Sequence, residues 1–98
     1  MQKLPIFTMK RNITFEKIKA WKLGRAFKIK LYKITKDFPK DERFGLTPQM
    51  RRAAISITAN IAEGYGRYHF QETIQFARNS RGSISEVLDH LYTALDEN

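Results

Sequence analysis

At 98 residues, 42% hydrophobic and 12% aromatic, the chain is long enough for one domain with a core and too apolar for a disordered polypeptide. It has no cysteine, which excludes disulfides and thiolate metal sites, and no apolar run near the roughly 20 residues a membrane-spanning helix needs. The net charge of +8 is lopsided: residues 1–37 hold eleven Lys and Arg against Glu16 and Asp37, whereas residues 38–98 hold seven against eight acids. A basic block of this kind attracts nucleic acid, anionic lipid or an acidic protein surface, and an ordinary solvated face is the plainer reading. "MQKLPIFTMKRN" has neither the long apolar stretch nor the small-residue cleavage site of a secretion signal, so a cytoplasmic location is expected.

Residues 1–13 read as a flexible arm, with Pro5 opposing an early helix start. A helical domain is then predicted over 14–98, beginning with a first helix over about 14–38. Thr14 stands as its N-cap and Glu16 in its first turn, where a negative charge suits the helix dipole. Ala20, Leu23, Gly24, Phe27, Leu31, Ile34 and Phe38 share one face at three- and four-residue spacings, and that face is expected to be core. A narrower stripe, Ile18, Trp21, Ile29 and Tyr32, is interrupted by Arg25 and Lys28. It asks for a cover of its own: another subunit, stacked bases, or the rest of the same bundle. Lys17, Lys19, Lys22, Arg25, Lys28, Lys30 and Lys33 are the candidate polyanion contacts, with Arg51 and Arg52 in addition.

"FPKDERFGL" closes the first helix, and Thr47-Pro48 reads as an N-cap and first residue of a second helix over 48–63. Its core stripe is Met50, Ala53, Ala54, Ile57 and Ile61, and Gly64 is expected as a left-handed C-cap. Arg52, Ser56, Asn60 and Glu63 form a polar stripe. Asn60 is a poor helix former, so the stripe is expected to join neighbouring helices by hydrogen bonds or to line a binding surface. The last helix is predicted over 69–96. Phe70, Ile74, Ala77, Ile84, Leu88, Leu91 and Leu95 make a bundle seam, broken by Arg81, with Ser80, Gly82 and Ser83 at the break where a backbone can approach closely. Helices without strands, joined by short turns, give an all-α, antiparallel up-and-down bundle.

Catalytic chemistry is not prominent. His69 and His90 fit no metal pattern, and Glu86 with His90 one turn on is a surface ion-pair spacing. Gly64-Tyr65-Gly66 follows a helix and lacks the third glycine of a dinucleotide loop. No catalytic, cofactor or metal site is expected, and no small-molecule substrate.

"FPKDERFGLTPQMRRAAISITANIAEGYGR" followed by "FARNSRGSISEVLDHLYTALDE" closely resembles the four-helix bundle family of bacterial 23S rRNA intervening-sequence proteins. The family's pattern falls on Phe38-Pro39, Gly45-Leu46, Gln49 with Arg51-Arg52-Ala53, Ser56-Ile57, Asn60 to Gly64, Gly82-Ser83 and Glu86. The resemblance implies an antiparallel four-helix bundle, with the fourth helix largely missing from this chain because the pattern continues beyond Asn98. It also implies assembly as a homo-oligomer, up to a ring-like pentamer. Relatives include accessory subunits of diversity-generating retroelements, which contact a reverse transcriptase and nucleic acid. The expected function is therefore a non-enzymatic oligomer that binds RNA or DNA through its first helix. The alternative is a scaffold that docks a nucleic-acid enzyme such as a reverse transcriptase.

Overall fold

The computed structural model describes residues 14–97; the arm expected over 1–13 lies outside the described residues, as does Asn98. Thr14–Lys17 form a 3-10 turn, followed by three α-helices: α1 (Lys19–Lys36), α2 (Leu46–Tyr65) and α3 (Phe70–Glu97). A second 3-10 turn, Lys40–Glu42, lies between α1 and α2. No strand occurs among the described residues, so the protein is all-α. Cross-helix partners fix the directions. A Cβ on Gly24 would meet Thr58, Lys28 bonds Thr58, and Arg51 bonds Thr35, so α1 and α2 run antiparallel. Gly64 meets Phe76, Ser80 bonds Ile57, and Ser83 bonds Ser56, so α2 and α3 do the same.

The helix expected to start at Thr14 is broken at Ile18, whose backbone is extended at φ −71° and ψ 124°. Aromatic packing accounts for the break. The Phe15 and Trp21 rings stand 5.1 Å apart, whereas six positions on a continuous helix would separate them by roughly 120°. The 3-10 turn, closed by the Ile18 amide donating to the Phe15 carbonyl at 3.0 Å, folds the phenylalanine back.

α2 starts earlier than its Thr47-Pro48 pair suggests. Gly45 is the N-cap, and Pro48 is third in the helix, still within the first turn where its missing N–H removes no intrahelical bond. At the other end Gly64 is not a left-handed cap. The helix continues to Tyr65, Gly66 caps it at φ −79°, and no described residue has a positive φ. Gly64 is small for a different reason: a Cβ there would stand 2.9 Å from the Phe76 Cβ, where α2 and α3 cross.

The core is centred on α2. Leu31, Met50, Ala53, Ala54, Ile57 and Val87 are buried, with Phe27, Phe38, Leu46, Ile61 and Leu91 packed around them. Burying a side chain the size of Leu31 or Ile57 contributes about 1.5–3 kcal/mol. The stripe expected on α2 is the one observed.

α3 departs from expectation. Its buried line is Ser80, Ser83 and Val87, whereas Phe70, Ile84, Leu88 and Leu95 of the expected seam are exposed. At 100° per residue the seam is rotated from the buried line by roughly 80°. The physical reason is close approach: α2 and α3 meet through small side chains, and Ser80 donates its hydroxyl to the Ile57 carbonyl at 2.8 Å. α1 is rotated in the opposite sense. Gly24, Leu31 and Thr35 are buried, while Leu23 and Ile34 of the expected core face are half or more exposed. α1 and α3 thus both pack on α2 and leave an apolar groove between their outward flanks.

Candidate nucleic-acid interface

The basic residues of α1 divide by what surrounds them. Lys19, Lys22, Lys30 and Lys33 are exposed and recur along the solvent side of the helix. From Lys19 to Lys33 the axis advances about 21 Å. None of the four takes part in an ion pair among the described residues, where the pairs are Arg67 with Glu63 and Glu72, and His90 with Glu86. Lys17 is exposed in the preceding 3-10 turn. Arg25 is exposed with its guanidinium 5.8 Å from the Trp21 ring centre.

Two other candidates are tied into the fold. Lys28 is half-buried and donates through Nζ to Thr58 Oγ1 at 3.2 Å. Arg51 donates through Nε to Thr35 Oγ1 at 2.9 Å and through an Nη to the Tyr32 carbonyl at 3.4 Å. Its guanidinium carbon lies 4.6 Å from the Tyr32 ring centre. The buried Thr35 hydroxyl is thereby satisfied on both sides, since it also donates to the Leu31 carbonyl at 2.9 Å. Arg52, next in sequence, is exposed.

The stripe read as a subunit interface also divides. Ile18, Trp21 and Tyr32 are half-buried, with Phe15 and Arg25 on Trp21 and Arg51 on Tyr32, and Ile29 is exposed. The polar stripe of α2 contributes Ser56 and Asn60 to an interhelical network. Asn60 Nδ2 donates to the Ser56 carbonyl at 2.8 Å and to its hydroxyl at 2.9 Å, and Ser83 Oγ reaches the Ser56 hydroxyl at 2.9 Å. Glu63 instead pairs with Arg67 at the surface, and Gly82 is exposed with nothing within 4 Å of an added Cβ, so the close approach falls on its serine neighbours.

The groove between α1 and α3 has a volume of about 460 Å³. Leu23 and Phe27 line it from α1, Ile57 and Ile61 from α2, and Ile84 and Leu88 from α3. All six were expected in the core; Ile57 is there and Phe27 and Ile61 pack against it, whereas Leu23, Ile84 and Leu88 are left exposed. Among the described residues no three metal-ligating side chains come together, and no helix is long and apolar enough to cross a membrane.

Fold and surface together define an all-α protein with a basic helix face that forms no ion pair among the described residues and a separate open apolar groove. The family model for the 23S rRNA-intervening sequence protein matches residues 16–98, and the chain belongs to that family. Comparison with curated proteins finds no match.

Proposed function

We propose that this protein is a non-enzymatic, cytoplasmic nucleic-acid-binding subunit that holds RNA or DNA through α1 and works as a homo-oligomer. The observation that carries the reading is the row Lys19, Lys22, Lys30 and Lys33, four exposed ammonium groups with no ion-pair partner among the described residues. Fixed cations on a rigid rod replace the counterions that condense on a polyanion, and their release drives association. Such contacts give affinity with little sequence preference. Assembly multiplies the face, so weak contacts per subunit sum to useful avidity. The test is Lys22→Glu, Lys30→Glu, Lys33→Glu in one chain. Binding of a single-stranded RNA at low salt should disappear while the circular dichroism spectrum is unchanged. Retained binding, or binding indifferent to salt, refutes the proposal.

The groove supports a second element of the same reading. Leu23 at 62% and Leu88 at 52% exposure flank an apolar channel whose natural occupant is another amphipathic helix. A helix seated there, from a neighbouring subunit of a ring-like pentamer or from a partner such as a reverse transcriptase, would complete a four-helix bundle. Solution mass with and without RNA across a salt series separates self-assembly from partner docking.

A further inference from the structure

A shallow pocket of about 400 Å³ lies where the α1–α2 connection meets α2, lined by Arg43, Thr47, Pro48, Arg51, Arg52 and Ile55. Three arginines and a threonine line one concavity whose walls carry no carboxylate. The turn residue Glu42 lies toward Gly45, with Oε1 3.4 Å from where a Gly45 Cβ would stand, and it forms no ion pair with the three arginines. Arg51 is held in place by Thr35, the Tyr32 carbonyl and the Tyr32 ring, so one cation of the three is fixed before any ligand arrives. Arg52 is exposed, and so is Arg43, whose guanidinium carbon lies 5.6 Å from the Phe44 ring centre. Pro48 and the exposed Ile55 supply an apolar floor beside the charged rim.

We infer that this pocket seats the terminal phosphate of a polynucleotide strand, an inference that rests on the nucleic-acid reading above. Charge density separates it from the α1 face. A strand within a duplex offers one phosphodiester charge per about 3.4 Å, which suits lysines strung along a helix. A terminal phosphate monoester carries close to two charges on one phosphorus, and it suits a single concavity lined by three arginines. Guanidinium also presents paired N–H groups that match two phosphate oxygens at once, which the ammonium groups of α1 do not. The Thr47 hydroxyl is a further donor, and the Pro48–Ile55 floor receives the carbon face of the terminal sugar. A pocket of this volume is large enough for both phosphate and sugar.

The test compares two single-stranded oligonucleotides of one sequence, one with a terminal phosphate and one with a hydroxyl, by anisotropy at one low salt concentration. The wild-type chain should bind the phosphate-tipped strand about tenfold tighter, as charge-assisted bonds to guanidinium predict. Arg43→Ala with Arg52→Ala, both at exposed positions, should erase that preference and leave the circular dichroism spectrum unchanged. Equal affinities in the wild type overturn the inference and leave the α1 reading standing. A preference that survives in the arginine variant overturns it too. If neither strand binds, both readings fall. Inorganic phosphate at the oligonucleotide's concentration should leave the preference intact; its loss would make free phosphate the occupant and refute a strand end.

Discussion

Gly64 lies against Phe76 so closely that a Cβ at position 64 would stand 2.9 Å from the Phe76 Cβ, with the Thr73 carbonyl oxygen 3.4 Å away. Both neighbours are attached to the α3 backbone and cannot swing aside. Gly64→Ala should therefore push α3 from α2 and destabilise the fold. Overpacking of this kind costs about 1–3 kcal/mol, partly offset by the gain of up to about 1 kcal/mol from alanine's helix propensity. Gly82→Ala is the control. That position is exposed within α3, with nothing within 4 Å of the new carbon. It should stabilise the protein by about 0.5–1 kcal/mol. Urea unfolding of the two variants should move in opposite directions.

The Ser83–Ser56–Asn60 network makes a sharper claim than its single bonds do. Ser83→Ala leaves Ser56 without its interhelical donor, and Ser56→Ala removes one acceptor from each of Ser83 and Asn60, which keep the Asn79 and residue-56 carbonyls. Each single change should cost about 1 kcal/mol. The double variant removes the shared interaction once and should cost clearly less than the sum. Additive losses in a double-mutant cycle would show that the two hydroxyls do not act together.

How much of this was legible in the sequence depends on what set each feature. The α2 stripe was legible because its five core residues are apolar at regular spacing and the helix has the bundle's centre to itself. The poor fit of Asn60 to a helix interior suggests a partner on another helix. Its amide instead bonds Ser56 of α2 itself, and it is Ser56 that reaches α3 through Ser83. The orientation of α3 was not legible. Hydrophobicity points to Ile84, Leu88 and Leu95, whereas close packing selects the slimmest line of the helix, Ser80 and Ser83 with Val87. Both lines have the same period, so spacing cannot choose between them. Nor does the sequence distinguish Arg51 from Arg52. Which one turns inward is decided by Tyr32 and Thr35 on a different helix.

That difference between adjacent arginines is itself testable. Arg51→Ala removes a charge-assisted bond to the buried Thr35 hydroxyl and a cation–π contact at 4.6 Å. It should destabilise the protein by about 2 kcal/mol. Lys22→Ala removes an equal formal charge from an exposed position with no ion pair among the described residues, and surface changes of that kind stay within about 0.5 kcal/mol. Thermal unfolding should separate them plainly. In binding a strand that ends in a hydroxyl the order should reverse, with Lys22→Ala lowering affinity and flattening the salt dependence by close to one counterion.

The groove sets the last prediction. Leu23 and Leu88 are 62% and 52% exposed, so neither is needed to hold α1 or α3 on α2. They face each other across a channel floored by Ile57 and Ile61. If another copy of the chain covers this channel, Leu23→Glu with Leu88→Glu places two carboxylates in an apolar contact, where burying an unpaired charge is prohibitive. The variant should keep its helical spectrum and fall from an oligomer to a monomer in analytical ultracentrifugation. Its affinity for RNA should fall as well, because the α1 faces no longer act together. An unchanged mass would remove the groove from the assembly and leave it to a different protein, and loss of helicity would mean that these leucines serve the core after all.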